Sequence, residues 1–272
     1  MYDFTYHRPN SVEEAKCILM ENEDAKILAG GMTLLPTMKL RLASPTDLVD
    51  LSNIKTLYGL RDSGQFLDIA AMTTHAEIAG SDLVNKEIPA LADLARRIGD
   101  AQVRNRGTIG GSLSNSDPSA DYPAAVLGLD AVIKTDRRQI RSDEFYVNLF
   151  ETALSTNEIV ESIQFRKPES AAYAKFPNPA SRYAIVGVMV SELDKNIRVA
   201  VTGAGPCAFR SALLEAALSE DMSPGALDGL TIDADDFNED LFASAEYRAH
   251  LVIAMAKRAV AEIVSGRGRD SG

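Results

Sequence analysis

The chain has 272 residues, of which 46% are hydrophobic, so it can form one large domain or two small ones with a packed core. Its formal net charge of −11, with no basic run, argues against nucleic acid and against an anionic membrane as partners. Its two cysteines, Cys17 and Cys207, exclude an iron–sulfur cluster or a structural zinc site made by this chain alone. They do not resemble a disulfide framework, and no signal-peptide pattern is visible, so we expect a cytoplasmic protein. No apolar run reaches the ~18 residues of a membrane-spanning helix.

Residues 1–57 have the pattern of a small α/β lobe. Ser11 is followed three residues later by Glu14, a capping box that predicts the start of a first helix. A buried strand, a Gly30-Gly31 turn, a second helix and a second strand follow. This strand, helix and strand are predicted over Lys26–Ala29, Leu34–Leu42 and Leu48–Leu51. The β–α–β order is typical of an α/β lobe.

Residues 58–168 predict a second lobe that is richer in strands. The strands are predicted over Phe66–Met72, Ala131–Thr135 and Ile159–Phe165, with a helix over Pro89–Ile98. A short helix with a threonine cap is predicted around His75. His75 is a candidate general base, but the other two histidines are far away in sequence and no carboxylate pattern accompanies it. We therefore interpret His75 as structural.

The last third of the chain predicts a small antiparallel sheet with helices. Two apolar strands flank Asp194-Lys195-Asn196, which is a hairpin signal. The strands are predicted over Tyr183–Val190 and Ile197–Thr202, and the helices over Phe209–Leu218 and Tyr247–Val264. Residues 219–242 are acidic and irregular, and Gly266–Gly272 is predicted to be a frayed tail.

The stretch Asp100–Pro123 has no apolar periodicity and is crowded with glycines and small polar residues. We predict a long loop in which glycine lets successive backbone N–H groups turn towards phosphate oxygens. The Gly30-Gly31 turn has the same potential, because a strand, a glycine turn and a helix place backbone amides near a diphosphate. The two segments predict two halves of one diphosphate site, and a side chain introduced at Gly110 is expected to block it.

These segments, ILAGGMTLLPTMKLR and VRNRGTIGGSLSNSDPSADYPA, resemble the FAD-binding medium subunit of the molybdenum hydroxylases, the superfamily of xanthine dehydrogenase and carbon monoxide dehydrogenase. The resemblance covers essentially the whole chain. It implies an α+β fold with a two-lobed, PCMH-like FAD-binding domain, whose lobes are 1–57 and 58–168. A C-terminal α+β domain at 169–272 would carry a small antiparallel sheet and helices. Met32 departs from the family, which more often has a polar residue there, so one side-chain contact is affected while backbone contacts are not.

The resemblance also implies where FAD binds. The diphosphate would lie on the first glycine segment, Ala29–Thr33, and the second glycine segment, Thr108–Ser112. Asn115 and Asp121 match positions that hydrogen-bond the sugar or phosphate region, and Val160 matches an apolar contact on the adenine side. The full set of candidate FAD-binding residues is Ile27, Leu28, Ala29, Gly30, Gly31, Met32, Thr33, Leu34, Thr108, Ile109, Gly110, Gly111, Ser112, Asn115, Asp121, Val160, Tyr173 and Lys175. No catalytic and no metal-binding residue is assigned.

Three of these side chains have an alternative interpretation. By the resemblance Tyr173 covers a face of the flavin ring and Lys175 places positive charge near reduced flavin. The alternative for both is an ordinary strand with exposed polar ends. Asp121 lies just before an apparent helix, so its alternative role is to cap that helix.

By the same resemblance the chain is the FAD-carrying electron-transfer subunit of a molybdenum hydroxylase, an oxidoreductase complex. A large partner subunit holds the molybdenum cofactor, a small one holds two [2Fe–2S] clusters, and FAD on this chain passes the electrons to an external acceptor. The expected assembly is a dimer of heterotrimers. Because the large subunit selects the substrate, carbon monoxide, purines, N-heterocycles and aldehydes all stay open.

Two other functions compete with this one. A stand-alone flavin-dependent oxidase of the vanillyl-alcohol-oxidase type has a similar FAD fold, but the last third of this chain is small for the substrate domain of such an enzyme. A non-enzymatic nucleotide-binding or scaffold protein is the third possibility.

Overall fold

The structure is a computed structural model that describes residues 1–267. The first sheet lies in the N-terminal part of the chain. Three parallel strands, β1 Thr5–His7, β2 Lys26–Leu28 and β3 Asp47–Asp50, pair in the order β1-β3-β2. Helix α1 Val12–Glu21 connects β1 to β2 and is capped by Ser11, whose hydroxyl accepts a hydrogen bond from the Glu14 amide at 3.1 Å. The capping box thus predicts the helix start correctly. The sequence did not predict strand β1, because it has only three residues and is mostly exposed.

The middle of the chain forms a five-stranded antiparallel sheet in the order β4-β5-β10-β6-β7. Its strands are β4 Leu60–Asp62, β5 Phe66–Ala70, β6 Val132–Thr135, β7 Gln139–Arg141 and β10 Val160–Arg166. Alternate residues of a strand point to opposite faces. Leu67 and Ile69 accordingly lie in the hydrophobic core, while Asp68 between them makes ion pairs with Arg61 and Lys134.

Six helices lie between β5 and β6 in sequence and supply the core that covers this sheet. Helix α2 Leu34–Lys39 comes earlier, between β2 and β3. The six helices are α3 His75–Gly80, α4 Asp82–Glu87, α5 Pro89–Arg97, α6 Ala101–Arg106, α7 Ile109–Asn115 and α8 Tyr122–Gly128. After β7 come α9 Ser142–Phe145 and a small hairpin of β8 Tyr146–Asn148 and β9 Glu151–Thr152.

The stretch Asp100–Pro123 is not the continuous loop that the sequence predicted, because it contains α6 and α7. Each of these helices has a side-chain cap: Asp100 accepts a hydrogen bond from the Val103 amide at 2.9 Å, and Thr108 accepts one from the Gly111 amide at 3.2 Å. Helices of six and seven residues are too short to show an amphipathic period. The two caps were the available signal.

The third sheet comprises β11 Ser170–Pro177, β12 Ala184–Leu193, β13 Asn196–Thr202 and β14 Phe209–Arg210, all antiparallel in that order. One face packs against α11 Ala245–Arg267 and α10 Ala212–Glu220. The opposite face contributes Tyr173 and Met189 to the hydrophobic core that covers the five-stranded sheet. Because both faces are covered, β12 is apolar almost throughout and not alternating.

Two sequence predictions in this region need correction or limits. The helix expected from Phe209 begins only at Ala212, because Phe209 and Arg210 pair with β13. Of the expected tail, Gly266 belongs to α11, and residues 268–272 lie outside the described part of the chain.

The α+β fold class is confirmed by this mixture of helices and mainly antiparallel sheets. The ranges 1–57, 58–168 and 169–272 each contain one of the three larger sheets, and their division into domains stays a prediction. Within residues 1–267 no helix is both long and apolar enough to cross a membrane.

Candidate functional site

A cleft with a volume of about 960 Å³ brings the two glycine segments together. Its wall also includes His75, Asp121 and the segment 155–160, with Tyr183 directly before β12. A volume near the upper end of ordinary ligand pockets fits an extended cofactor.

The two glycine segments pack directly against each other. A Cβ added at Gly30 would lie 2.1 Å from the Arg106 carbonyl oxygen, and one added at Gly111 would lie 3.2 Å from the Ala29 Cβ. Glycine at position 30 therefore allows a close approach of two backbones that any side chain would prevent. The predicted union of the two segments in one site is consistent with this geometry.

The first glycine segment presents a run of unpaired backbone donors. Across residues 1–267 the amides of Gly30, Gly31, Met32, Thr33 and Leu34 donate to no protein acceptor. Gly31 has φ of +73°, a conformation that favours glycine. Successive amides around such a residue form a concavity that binds anions. This segment of the cleft wall can therefore hold a diphosphate through the backbone alone, whatever side chain stands at Met32.

The second glycine segment also lines the cleft, but its backbone donors are not free as those of the first segment are. Its amides already have acceptors: Ile109 donates to Thr73 O at 3.1 Å, Gly110 to Ala71 O at 2.8 Å, and Gly111 to the Thr108 hydroxyl at 3.2 Å. A Cβ at Gly110 would meet Ala71 Cβ at 2.6 Å, so it would point into the protein. This geometry corrects the direction expected for a side chain at Gly110, which would press on Ala71 and not reach into the cleft.

Asp121 lies in the cleft wall and connects it to a buried network in the interior. Its carboxylate accepts hydrogen bonds from the Tyr173 hydroxyl at 2.5 Å and from the Lys175 ammonium at 2.8 Å, and it makes no side-chain cap to α8. All three residues are less than 9% exposed. Burial raises the pKa of Asp121 above its ordinary value, while the Lys175 ammonium and the Tyr173 hydroxyl oppose that rise.

Glu158 anchors the segment 155–160 that forms another side of the cleft. It receives hydrogen bonds from Arg138 at 3.0 and 3.1 Å, from the Ser155 amide at 2.7 Å and from Thr135 at 2.8 Å. Burial alone would raise the pKa of Glu158, but these bonds outweigh it and hold the pKa at about 2. The ionised carboxylate therefore fixes the backbone that leads to Val160.

Most of the candidate FAD-binding residues line the cleft, and four do not: Leu28, Ile109, Tyr173 and Lys175. Tyr173 and Lys175 share one face of β11, and that face is turned towards Asp121 in the interior. The structure therefore places neither of them beside the ligand space.

The cleft wall also includes residues that were not among the candidates, and three of them have aromatic rings. His75 lies in the wall although we interpreted it as structural. Two aromatic side chains, Phe150 and Tyr183, also line the cleft and are 59% and 45% exposed. Burial raises the pKa of Tyr183, so its hydroxyl stays protonated at neutral pH. Exposed aromatics give no periodic signal, so a sequence pattern could not assign them to the cleft.

Comparison with known proteins gives consistent matches. Residues 2–168 match the model of the FAD binding domain in molybdopterin dehydrogenase. The carbon monoxide dehydrogenase medium chain of Hydrogenophaga pseudoflava is 36% identical over 275 residues, 94% of this chain and 96% of that one. The nicotine 6-hydroxylase medium subunit of Paenarthrobacter nicotinovorans is 34% identical over 271 residues, with the same coverage.

Solved structures agree with these relatives. A carbon monoxide dehydrogenase from H. pseudoflava that lacks the Mo-pyranopterin moiety of its molybdenum cofactor matches with a TM-score of 0.89 at 35% identity, over 97% of this chain and 98% of that one. Quinoline 2-oxidoreductase from Pseudomonas putida 86 matches with a TM-score of 0.88 at 26% identity and the same coverage.

Proposed function

The chain belongs to the family of FAD-binding domains in molybdopterin dehydrogenases, and we propose that it is the electron-transfer subunit of a molybdenum hydroxylase complex. In this proposal it takes electrons from [2Fe–2S] clusters of a small partner subunit and passes them to an external acceptor. Bound FAD supplies the redox chemistry, and the chain supplies binding, orientation and shielding.

One observation carries the assignment of the FAD site: the five unpaired amides at Gly30–Leu34 in the wall of a cofactor-sized cleft. Backbone donors in this arrangement suit the charge of a diphosphate. The second glycine segment holds the first in place. Near it, the hydroxyl of Ser112 and the side-chain amide of Asn115 line the cleft and have no protein partner among the described residues. Asp121 and Val160 lie farther along the wall, where we propose contacts to the sugar and adenine parts.

Titration of FAD into the apo chain tests this site. We expect wild-type protein to bind one FAD non-covalently and Gly31→Ala to lose at least tenfold in affinity, because the alanine disfavours the positive φ that shapes the amide concavity. Gly64→Ala is the matched control, since Gly64 has φ of +77° and nothing lies within 4 Å of an added Cβ. Equal FAD affinity in the two variants would remove the first glycine segment from the site.

The partners are inferred from the relatives, which are named medium chain or medium subunit. We propose a large molybdopterin-binding partner and a small [2Fe–2S] partner in a dimer of heterotrimers. We place the complex in the cytoplasm, consistent with Cys17 and Cys207 both being free.

Co-expression with the two neighbouring subunits tests the assembly. We expect one particle that contains molybdenum, iron and FAD, and an isolated chain that shows at most weak dye reduction by a reduced pyridine nucleotide. An isolated chain that elutes alone and oxidises an organic substrate without molybdenum would favour the stand-alone oxidase instead. The substrate itself is a property of the large subunit in this proposal.

A further inference from the structure

His75 lies in the cleft wall one backbone layer from the unpaired amides of the first glycine segment. It is the first residue of α3 and is 5% exposed. Its amide donates a hydrogen bond to Gly107 O at 3.0 Å, and a Cβ at Gly107 would lie 2.6 Å from His75 Nε2. A Cβ at Gly30, in turn, would lie 2.8 Å from the Gly107 Cα. Gly107 therefore lies between the His75 imidazole and Gly30 and is closely packed against both.

The two ring nitrogens of His75 differ in their surroundings. Nδ1 is fully enclosed and has no hydrogen-bond partner within residues 1–267. Nε2 has no protein partner there either, but it is not among the enclosed atoms, so it is the edge that the cleft reaches. The Tyr122 ring packs against the imidazole with centroids 5.2 Å apart, and its hydroxyl is also unpartnered.

This difference decides where the imidazole proton resides. A proton on Nδ1 would be a buried donor without an acceptor, which is unfavourable, whereas a proton on Nε2 can find an acceptor in the cleft. Burial and, as a smaller effect, the nearby Arg104 charge together lower the pKa of His75 to about 4, so the ring is neutral at pH 7. A neutral ring with its proton on Nε2 presents one donor to the cleft.

Building on the proposed function, we propose that His75 is an FAD-binding residue whose Nε2–H donates a hydrogen bond to an oxygen of the diphosphate–ribityl part of the cofactor. The cofactor oxygen would thus accept the hydrogen bond from Nε2–H, for which residues 1–267 provide no acceptor. The contact would fix the cofactor at the point where the two glycine segments meet, and it requires no charge on the imidazole.

Side-chain geometry provides matched variants. The amide nitrogen of glutamine lies where Nε2 of histidine lies, while that of asparagine lies where Nδ1 lies. We expect His75→Ala and His75→Asn to weaken FAD binding by about 5–30-fold, the loss of one buried hydrogen bond, and His75→Gln to stay within about threefold of wild type. Fluorescence titration of the apo chain measures all four affinities, and thermal unfolding checks that each variant is folded.

Imidazole NMR gives a second readout on unaltered protein. The chain has three histidines, so ¹⁵N-histidine labelling yields three ring systems, and His75→Gln assigns one of them. We expect His75 to show the Nε2–H tautomer in the apo chain and to be the ring whose Nε2 signal shifts most on addition of FAD. An Nδ1–H tautomer, or unchanged affinity in folded His75→Ala and His75→Asn, would overturn the inference. Failure of the wild-type chain to bind FAD would instead refute the proposed function.

Discussion

Lys175→Met is expected to destabilise the chain by about 3 kcal/mol, because it leaves the Asp121 carboxylate buried without its counter-charge. The ammonium lies 2.8 Å from Asp121 Oδ2, and the two side chains are 3% and 5% exposed. Removing one partner of a buried ion pair typically costs ~3–5 kcal/mol. The lower end applies here because the Tyr173 hydroxyl still donates to the carboxylate at 2.5 Å. Urea unfolding of the apo chain at pH 7 measures the difference.

The pH dependence and a double variant separate charge from packing. Burial raises the folded pKa of Asp121 above its unfolded value of about 3.9 and Lys175 opposes that rise. Without Lys175 the folded pKa should rise further, so the variant should lose more stability than wild type as the pH rises above about 4. The double variant Asp121→Asn with Lys175→Met removes the buried charge and should recover more than half of the loss. A single variant that costs less than about 1 kcal/mol, or a double variant no more stable than the single, would refute an ionised pair at this position.

Two further outcomes follow from the structure. Because the pKa of Glu158 is held at about 2, below its ordinary value of 4.5, the free energy of unfolding should fall by roughly 2 kcal/mol as the pH drops from about 4.5 to 2. Glu158→Gln should lose that dependence, and parallel curves from urea titrations of the two proteins would contradict the assignment. Gly30→Ala should lower the melting temperature by several degrees, since its Cβ would lie 2.1 Å from the Arg106 oxygen, whereas Gly80→Ala, which meets nothing within 4 Å, should not. A Gly30→Ala protein as stable as Gly80→Ala would show that the two glycine segments are not in rigid contact.

The sequence predicted the elements whose apolar pattern is long enough to be periodic, and it missed those that are short. The hairpin strands around Asp194-Lys195-Asn196 and the long C-terminal helix are present as expected. Helices α6 and α7 and strands β1 and β14 span two to seven residues, too few for a helical or alternating period to stand out. Their caps and pairings depend on neighbours that are distant in sequence, as with β14 on β13.

The positions of Tyr173 and Lys175 show a limit of another kind. Alternation along β11 predicts that the two side chains share a face. Nothing in that alternation says whether the face is turned to the cleft or to the interior, because an aromatic residue and a long aliphatic stem suit both. The answer depends on Asp121, which is more than fifty residues away and supplies the acceptor for both groups. A tertiary ion pair decides the orientation, and a single sequence does not reveal it.

The two glycine segments look alike in sequence because glycine permits two different things, an unusual φ and a close approach of other atoms. Gly31 uses the first, and the amides around it stay unpaired. Gly110 uses the second, and its amide is bonded to Ala71 O. The second segment gives the first a fixed support, because Gly30 packs against the Arg106 backbone and Gly111 packs against Ala29. The unpaired amides can therefore be held open before a ligand arrives, so that less ordering has to accompany binding.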